Sequence, residues 1–126
     1  MNRLLQQTMA CATGPAQTCE SGARKMEFIF PPGFLAFDGH FPERPILPGI
    51  VQIMAGILVA GGGHPLTLGK VVRAKFTRII NPGEPVQITA ECADNGGAIQ
   101  ANIQVRVNGE TAASITLHLL PDGVDA

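Results

Sequence analysis

The sequence predicts an α+β domain in which one antiparallel sheet curls around a single central helix. Three observations carry that expectation. Residues 50–60 form an almost wholly apolar stretch, bounded by Pro48-Gly49 on one side and Gly61-Gly62-Gly63 on the other. Downstream, four segments alternate apolar and polar residues with a period of two, the pattern of strands with one wet face. The breaks between those segments carry turn chemistry.

The elements follow in order. "LLQQTMACA" reads as a weak strand, and Gly14-Pro15 then turns the chain toward "KMEFIF", where Met26, Phe28 and Phe30 point to a core. The central helix runs from Ile50 to Ala60 with Gln52 as its one polar residue, and the three glycines stop it. A helix that is apolar all round is expected to be buried all round. Beyond it, "KVVRAKF" puts Val72, Ala74 and Phe76 on one face, and Arg73, Lys75 and Thr77 on the other. "PVQITAEC" lines up Val86, Ile88, Ala90 and Cys92. "AIQANIQVRV" lines up Ala101, Ile103, Val105 and Val107, and "TAASITLHL" lines up Ala113, Ile115, Leu117 and Leu119. Between them lie Asn81-Pro82-Gly83, Asp94-Asn95-Gly96-Gly97 and Asn108-Gly109. The last is a strong tight-hairpin signal, because both residues tolerate positive φ. The expected order is two strands, a helix and a four-strand meander. All belong to one domain over residues 1–126, with 1–18 as a weak N-terminal strand and turn and 121–126 as a frayed tail.

Composition narrows the function. A chain of 126 residues makes one domain with a modest core. Charged residues are 15%, against about a quarter in ordinary domains, which points to surface covered by another subunit. A net charge of −1 and the lack of a Lys/Arg run argue against general nucleic-acid binding. The apolar run from Ile53 to Gly63 is too short to span a bilayer. Gln6, Gln7 and Thr8 interrupt the N-terminal apolar residues, so the start fails as a signal peptide. Cys11, Cys19 and Cys92 have no metal-type spacing and read as free thiols of a cytoplasmic protein.

The stretch that carries chemistry is "GHFPERPILPGIVQIMA". Pro42, Pro45 and Pro48 stiffen the segment and hold His40 with little entropy left to lose. Gly49 opens the helix, where backbone N–H groups lack intrahelical acceptors and the dipole end is positive. Having no side chain, it lets a ligand approach that backbone. A histidine beside such a helix start, with an apolar groove behind, suits proton removal α to a thioester carbonyl. The base takes the proton, and N–H donors hold the oxyanion.

These residues resemble the signature of the hot-dog-fold 3-hydroxyacyl-[acyl-carrier-protein] dehydratases: Gly-His-Phe-Pro, two residues, Pro, two residues, Pro-Gly, then a helix. "AKFTRIINPGEPVQITAE" and "RVNGETAASITL" extend the likeness, which covers roughly residues 20 to 119. The resemblance implies a hot-dog fold and a dehydratase acting on acyl thioesters in fatty-acid or related acyl-chain synthesis. It implies His40 as acid or base, the Gly49 N–H with backbone near Phe41 as oxyanion donors, and Phe41, Pro48, Ile50 and Met54 against the substrate. It also implies dimers with each site at the subunit interface, and no cofactor. One position departs from the pattern: the family's acidic residue, five residues after the Pro-Gly glycine, is here Met54. Methionine cannot protonate a leaving hydroxyl, and losing a general acid typically costs about 10²- to 10⁴-fold in rate. Three accounts stand. Glu43 substitutes as the acid, with Gln52 unable to and Asp38 only two residues from His40. Alternatively, a related subunit supplies the acid in a heterodimer. Otherwise the site binds acyl groups without turnover. Hot-dog domains also host thioesterases.

Lys70, Arg73, Lys75 and Arg78 fall within nine residues; a solvated strand face is the first reading, and with Arg44 they are also candidates for docking an acidic carrier protein or receiving a phosphopantetheine arm. His64 reads as a loop residue, and His118 lies on the polar face of the last strand. Three scattered histidines make no metal site. The glycines of "GILVAGGGHPLTLGK" end a helix rather than follow a strand, which argues against a phosphate loop.

Overall fold

A computed structural model describes residues 3–34, 46–62 and 64–121. In chain order the elements are α1 (Arg3–Ala10), β1 (Gln17–Thr18), β2 (Arg24–Ile29), α2 (Gly49–Gly61), β3 (Leu66–Phe76), β4 (Pro85–Asn95), β5 (Ala98–Val107) and β6 (Glu110–Pro121). The strands form one six-stranded antiparallel sheet in the order β1-β2-β4-β5-β6-β3, and α2 packs on its concave, apolar side. The expected α+β architecture of a sheet around one helix is what forms.

The strand faces follow the alternation. Met26, Phe28 and Phe30 are buried, as are Val86, Ile88 and Ala90, then Ala101, Ile103, Val105 and Val107, then Ala113, Ile115, Leu117 and Leu119. Two-residue turns join the last three strands. Gly96 and Gly97 (φ 63° and 92°) connect β4 to β5, and Asn108 and Gly109 (φ 53° and 80°) connect β5 to β6. Two successive positive φ values match the right-handed strand twist, which explains why Asn-Gly stands there. Cys92 keeps its expected side, its Sγ donating to the Ala60 carbonyl at 4.0 Å, but is exposed where β4 passes the end of α2.

The helix presses closely on β5. A Cβ on Gly56 would lie 2.6 Å from Ile103 Cδ1, so glycine sets the distance between α2 and β5. At its C-terminus Gly62 adopts the left-handed conformation (φ 53°) and donates its N–H to Leu58 and Val59 carbonyls. The Arg24 guanidinium donates to the Ala60 carbonyl there, a cation at the negative end of the helix.

Four expectations need correction. The N-terminal segment is a helix, not a strand: Leu, Gln, Met and Ala are good helix formers, and α1 gains its stability by packing on α2. The hairpin partner of β2 is the two-residue β1, with its turn at residues 19–23, while Gly14-Pro15 lies between α1 and β1. The last four strands are not a simple meander. β3 crosses to the far edge and pairs with β6, whereas β4 pairs with β2 and β5. Pro121 closes β6 opposite Leu66 rather than starting a frayed tail, and residues 122–126 lie outside the described residues.

Nor is α2 buried all round. Val51, Ile53, Ala55, Val59 and Ala60 face the sheet, but Ile50 is 55% exposed, and Met54, Ile57 and Leu58 are half-buried. One sheet covers only one side of a helix, and α1 shields only the C-terminal part of the other.

Candidate functional site

The entry into α2 is built from two directions. Pro48 is the N-cap residue, extended at φ −64° and ψ 149°, with no side-chain cap. Its carbonyl accepts from Val51 N–H at 3.1 Å and Gln52 N–H at 3.4 Å. The N–H of Gly49, at the first helical position, has no acceptor within the helix by geometry. Just upstream, Leu47 N–H donates to the Ile80 carbonyl at 2.9 Å, which ties the helix entry to the loop between β3 and β4.

A knot of polar contacts holds that loop. The Glu84 carboxylate accepts from both terminal nitrogens of Arg78, at 3.2 and 3.0 Å, and from Asn81 N–H at 2.8 Å. The Arg78 hydrogen bond, reinforced by the Asn81 N–H, holds the Glu84 carboxyl below its ordinary range. The same bond raises Arg78 above its usual value, so the guanidinium stays charged. Glu110 approaches Arg78 at 3.8 Å.

Between helix entry and loop lies an open cavity of about 500 Å³, with Leu47, Pro48, Gly49, Gln52, Phe76 and Arg78 among its walls. Its walls include no carboxylate among the described residues. Gly49 plays a part there that the sequence did not reveal. A Cβ on it would lie 2.8 Å from the tip of the Phe76 ring, so the missing side chain admits that ring against the helix start. Gln52 is 3% exposed, and its Oε1 is buried without a hydrogen-bond partner. The one signal for it in the sequence is that it interrupts an otherwise apolar helix.

The remaining candidates separate. Ile50 and Met54, four residues apart on α2, share the stripe that the sheet leaves uncovered, and neither belongs to the walls of that cavity. Lys70, Arg73 and Lys75 are exposed and pair with His118, Thr116 and Ser114, so they stand on one face of β3, whereas Arg78 is engaged by Glu84 and Glu110. His40, Phe41, Glu43 and Arg44, with Asp38, lie outside the described residues.

The β3 strand departs from its expected face. Register shifts between Leu68 and Lys70 and between Val71 and Arg73 leave Gly69 and Val72 without partners. The residues that pair with the inward face of β6 are therefore Leu68, Val71, Ala74 and Phe76, not Val72. Being an edge strand, β3 is exposed nearly throughout, with Val71 at 40%, Val72 at 46% and Phe76 at 45%.

A second, strongly apolar hollow of about 530 Å³ lies between α1 and the C-terminal half of α2, lined by Leu5, Met9, Ile57, Leu58 and Leu66. A third, of about 360 Å³, holds Arg24, His64, Cys92 and Asp94 at the helix end. Burial raises the Cys92 thiol, with Arg24 opposing, and burial raises Cys11. Among the described residues no group of three His, Cys, Asp or Glu is placed to hold a metal, and no helix is long and apolar enough to cross a membrane.

Comparison with known proteins fits this architecture. The family model described as "ApeI-like: ApeI dehydratase" matches residues 16–115. The 3-hydroxyacyl-[acyl-carrier-protein] dehydratase FabZ of Agrobacterium fabrum is 28% identical over 99 residues, 69% of this chain and 64% of the relative, so the match spans less than two thirds of that enzyme. Among solved structures, the dehydratase heterocomplex ApeI:P from Xenorhabdus doucetiae superposes with a TM-score of 0.65 at 20% identity, covering 86% of this chain and 96% of that one. A mutant of the fluoroacetyl-CoA-specific thioesterase FlK superposes with a TM-score of 0.63 at 16% identity, over 78% and 83% of the two chains. With the sheet, the enclosed helix and four-fifths of the sequence in agreement, this hot-dog-fold chain belongs to the ApeI-like dehydratase family.

Proposed function

We propose that the protein dehydrates 3-hydroxyacyl thioesters, and hydrates the corresponding 2-enoyl thioesters, on a phosphopantetheine arm carried by acyl-carrier protein or coenzyme A in the cytoplasm. The observation that carries this reading is the uncapped start of α2 opening into a cavity beside Gly49. The thioester carbonyl accepts from Gly49 N–H, which stabilises the enolate-like charge that builds when the α-proton leaves. His40, nine residues upstream of Gly49 in a proline-stiffened segment, is the base and then the acid.

The acyl chain has one direction to run. The inward faces of the strands are filled by α2 itself, with Val105, Leu117 and Leu119 fully buried. The uncovered stripe of α2, through Ile50, Met54, Ile57 and Leu58, lies outside the cavity walls and borders the apolar hollow by α1, and it takes the chain beyond the third carbon once it leaves the cavity. Nine residues separate Gly49 from Leu58, about 13 Å of helix. The exposed edge of β3, with Ile50 and Ile79 nearby, supports a second subunit over that stripe. Lys70, Arg73 and Lys75 stand exposed on the other face, where they would receive an acidic carrier.

A second reading is favoured by Met54 and by the missing carboxylate among the described cavity walls. In it, the chain is the acid-less subunit of a heteromeric dehydratase, or binds acyl thioesters without turning them over. Enoyl-thioester hydration by the purified chain, followed as loss of enoyl absorbance and abolished in His40→Ala, supports the first reading. Equal inertness of wild type and His40→Ala, with acyl-carrier protein still bound, supports the second. Release of free thiol from acyl-CoA identifies a thioesterase and overturns both.

A further inference from the structure

We infer that Gln52 recognises the 3-hydroxyl group of the substrate, and so lets the site tell 3-hydroxyacyl thioesters from acyl thioesters that lack the hydroxyl. This rests on the substrate class proposed above and adds the group that selects within it.

Gln52 is polar in a place where its side-chain oxygen meets no polar partner. The Gln52 amide sits on a helix whose other residues are all apolar or glycine, it is 3% exposed, and its Oε1 has no donor. Burying an amide oxygen unpaired is unfavourable, and a leucine of similar size would avoid the cost. Nothing in the packing of α2 requires the amide, because the residues around it that face the sheet are Val51, Ile53 and Ala55. The unpaired oxygen is therefore explained by something that arrives.

The location says what arrives. Gln52 stands three residues after Gly49, on the same side of the helix, and both line the cavity of about 500 Å³. Three residues are about 4.5 Å of axial rise. The helix start offers donors and Gln52 offers an acceptor. A ligand that satisfies both needs an acceptor and a donor a few ångströms apart, with apolar surface beyond. A 3-hydroxyacyl thioester has that pattern: its carbonyl oxygen accepts from Gly49 N–H, and its hydroxyl, two carbons along, donates to Gln52 Oε1. The 2-enoyl product and saturated acyl thioesters keep the carbonyl but have no donor at the third carbon. They leave the amide oxygen unpaired again, and the site releases them more readily.

The test measures binding, not turnover. Two non-hydrolysable pantetheine amides, 3-hydroxybutyryl and butyryl, are titrated by calorimetry into wild type, Gln52→Leu and the closer-shaped Gln52→Met. We expect wild type to prefer the hydroxylated analogue by about tenfold, one well-formed hydrogen bond to a buried acceptor. Both variants should lose that preference while binding the butyryl analogue as before, and both should melt at or above the wild-type temperature. A wild type that binds the two analogues equally, or a Gln52→Leu variant that keeps the preference, overturns the assignment of Gln52 and leaves the dehydratase reading standing. Failure of wild type to bind either analogue overturns both.

Discussion

Gly56 leaves no room for a side chain against Ile103, and replacing it is a quantitative test of the packing. A methyl group added at Gly56 would lie 2.6 Å from Ile103 Cδ1 and 3.1 Å from Ile103 Cγ2, and Ile103 is fully buried. Two effects oppose each other in Gly56→Ala. Alanine stabilises a helix interior by about 1 kcal/mol over glycine. Overpacking a filled core costs about 1–3 kcal/mol. The expected net loss is about 0–2 kcal/mol, a fall in Tm of up to about 8 °C for a chain this size. Ile103→Val removes Cδ1, and alone it costs about 0.5–1.5 kcal/mol through the cavity it leaves. In the double variant the alanine methyl occupies that vacated space, so the two losses should not add; a favourable coupling of about 1 kcal/mol is expected. Urea unfolding of the four proteins at one protein concentration measures the cycle. If Gly56→Ala gains the full helix-propensity increment and the cycle is additive, the close approach is not real and the reasoning fails.

Three further outcomes can be measured on the same protein. Glu84→Gln should flatten the acid limb of stability. The wild-type carboxyl is held low by Arg78 and Asn81, so its contribution is present above the ordinary carboxylate pKa and lost as pH falls through the lowered folded value, whereas the glutamine variant has no such loss; parallel acid limbs in a pH series of melting curves count against the knot. Arg24→Met keeps the aliphatic stem but deletes the charged donor to the Ala60 carbonyl, and should cost about 0.5–2 kcal/mol by denaturant unfolding, with no loss refuting the helix-end role. Val72→Lys puts a charge on the open β3 edge and should lower the mass seen by sedimentation equilibrium, while an unchanged mass removes that edge from the proposed subunit contact.

What could be read in the sequence was whatever has one physical cause. The strands after residue 85 each have one wet face, so burial imposed an alternation along most of their length from Val86 to Leu119, and the turns between them need positive φ, so they show Asn and Gly. The helix limits were equally plain, because Pro-Gly and a glycine run bound it. Where two causes compete, the pattern loses its meaning. "LLQQTMA" has too few apolar residues to choose between periods of two and 3.6, and what decides is the surface of α2 against which α1 packs. The position of β3 in the sheet is a matter of pairing, which alternation does not encode. Its phase is also broken at Gly69, where a side chain would press to 3.2 Å from the His118 carbonyl, and again at Val72.

The site divides in the same way. Gly49 announced itself through the Pro-Gly pair, yet the reason for glycine there is partly the Phe76 ring, a contact that spans 27 residues of chain and leaves no local mark. Met54 could be singled out only against the resemblance, since on an apolar helix methionine reads as filler. The structure gives that position a second meaning. Met54 belongs to the stripe with Ile50 that neither the sheet nor α1 covers, so whatever stands there faces outward from its own subunit. Under the proposed subunit contact over that stripe, an acid at residue 54 would serve chemistry on the contact's far side, and its loss would disable a neighbour's site before this chain's own. That is why pairing this chain with an acid-bearing relative is a sharper experiment than restoring Met54→Glu in isolation. Under that proposal the mixed assembly needs only one acid-bearing helix per site, whereas the restored homomer needs every copy to tolerate a carboxylate on a surface built apolar.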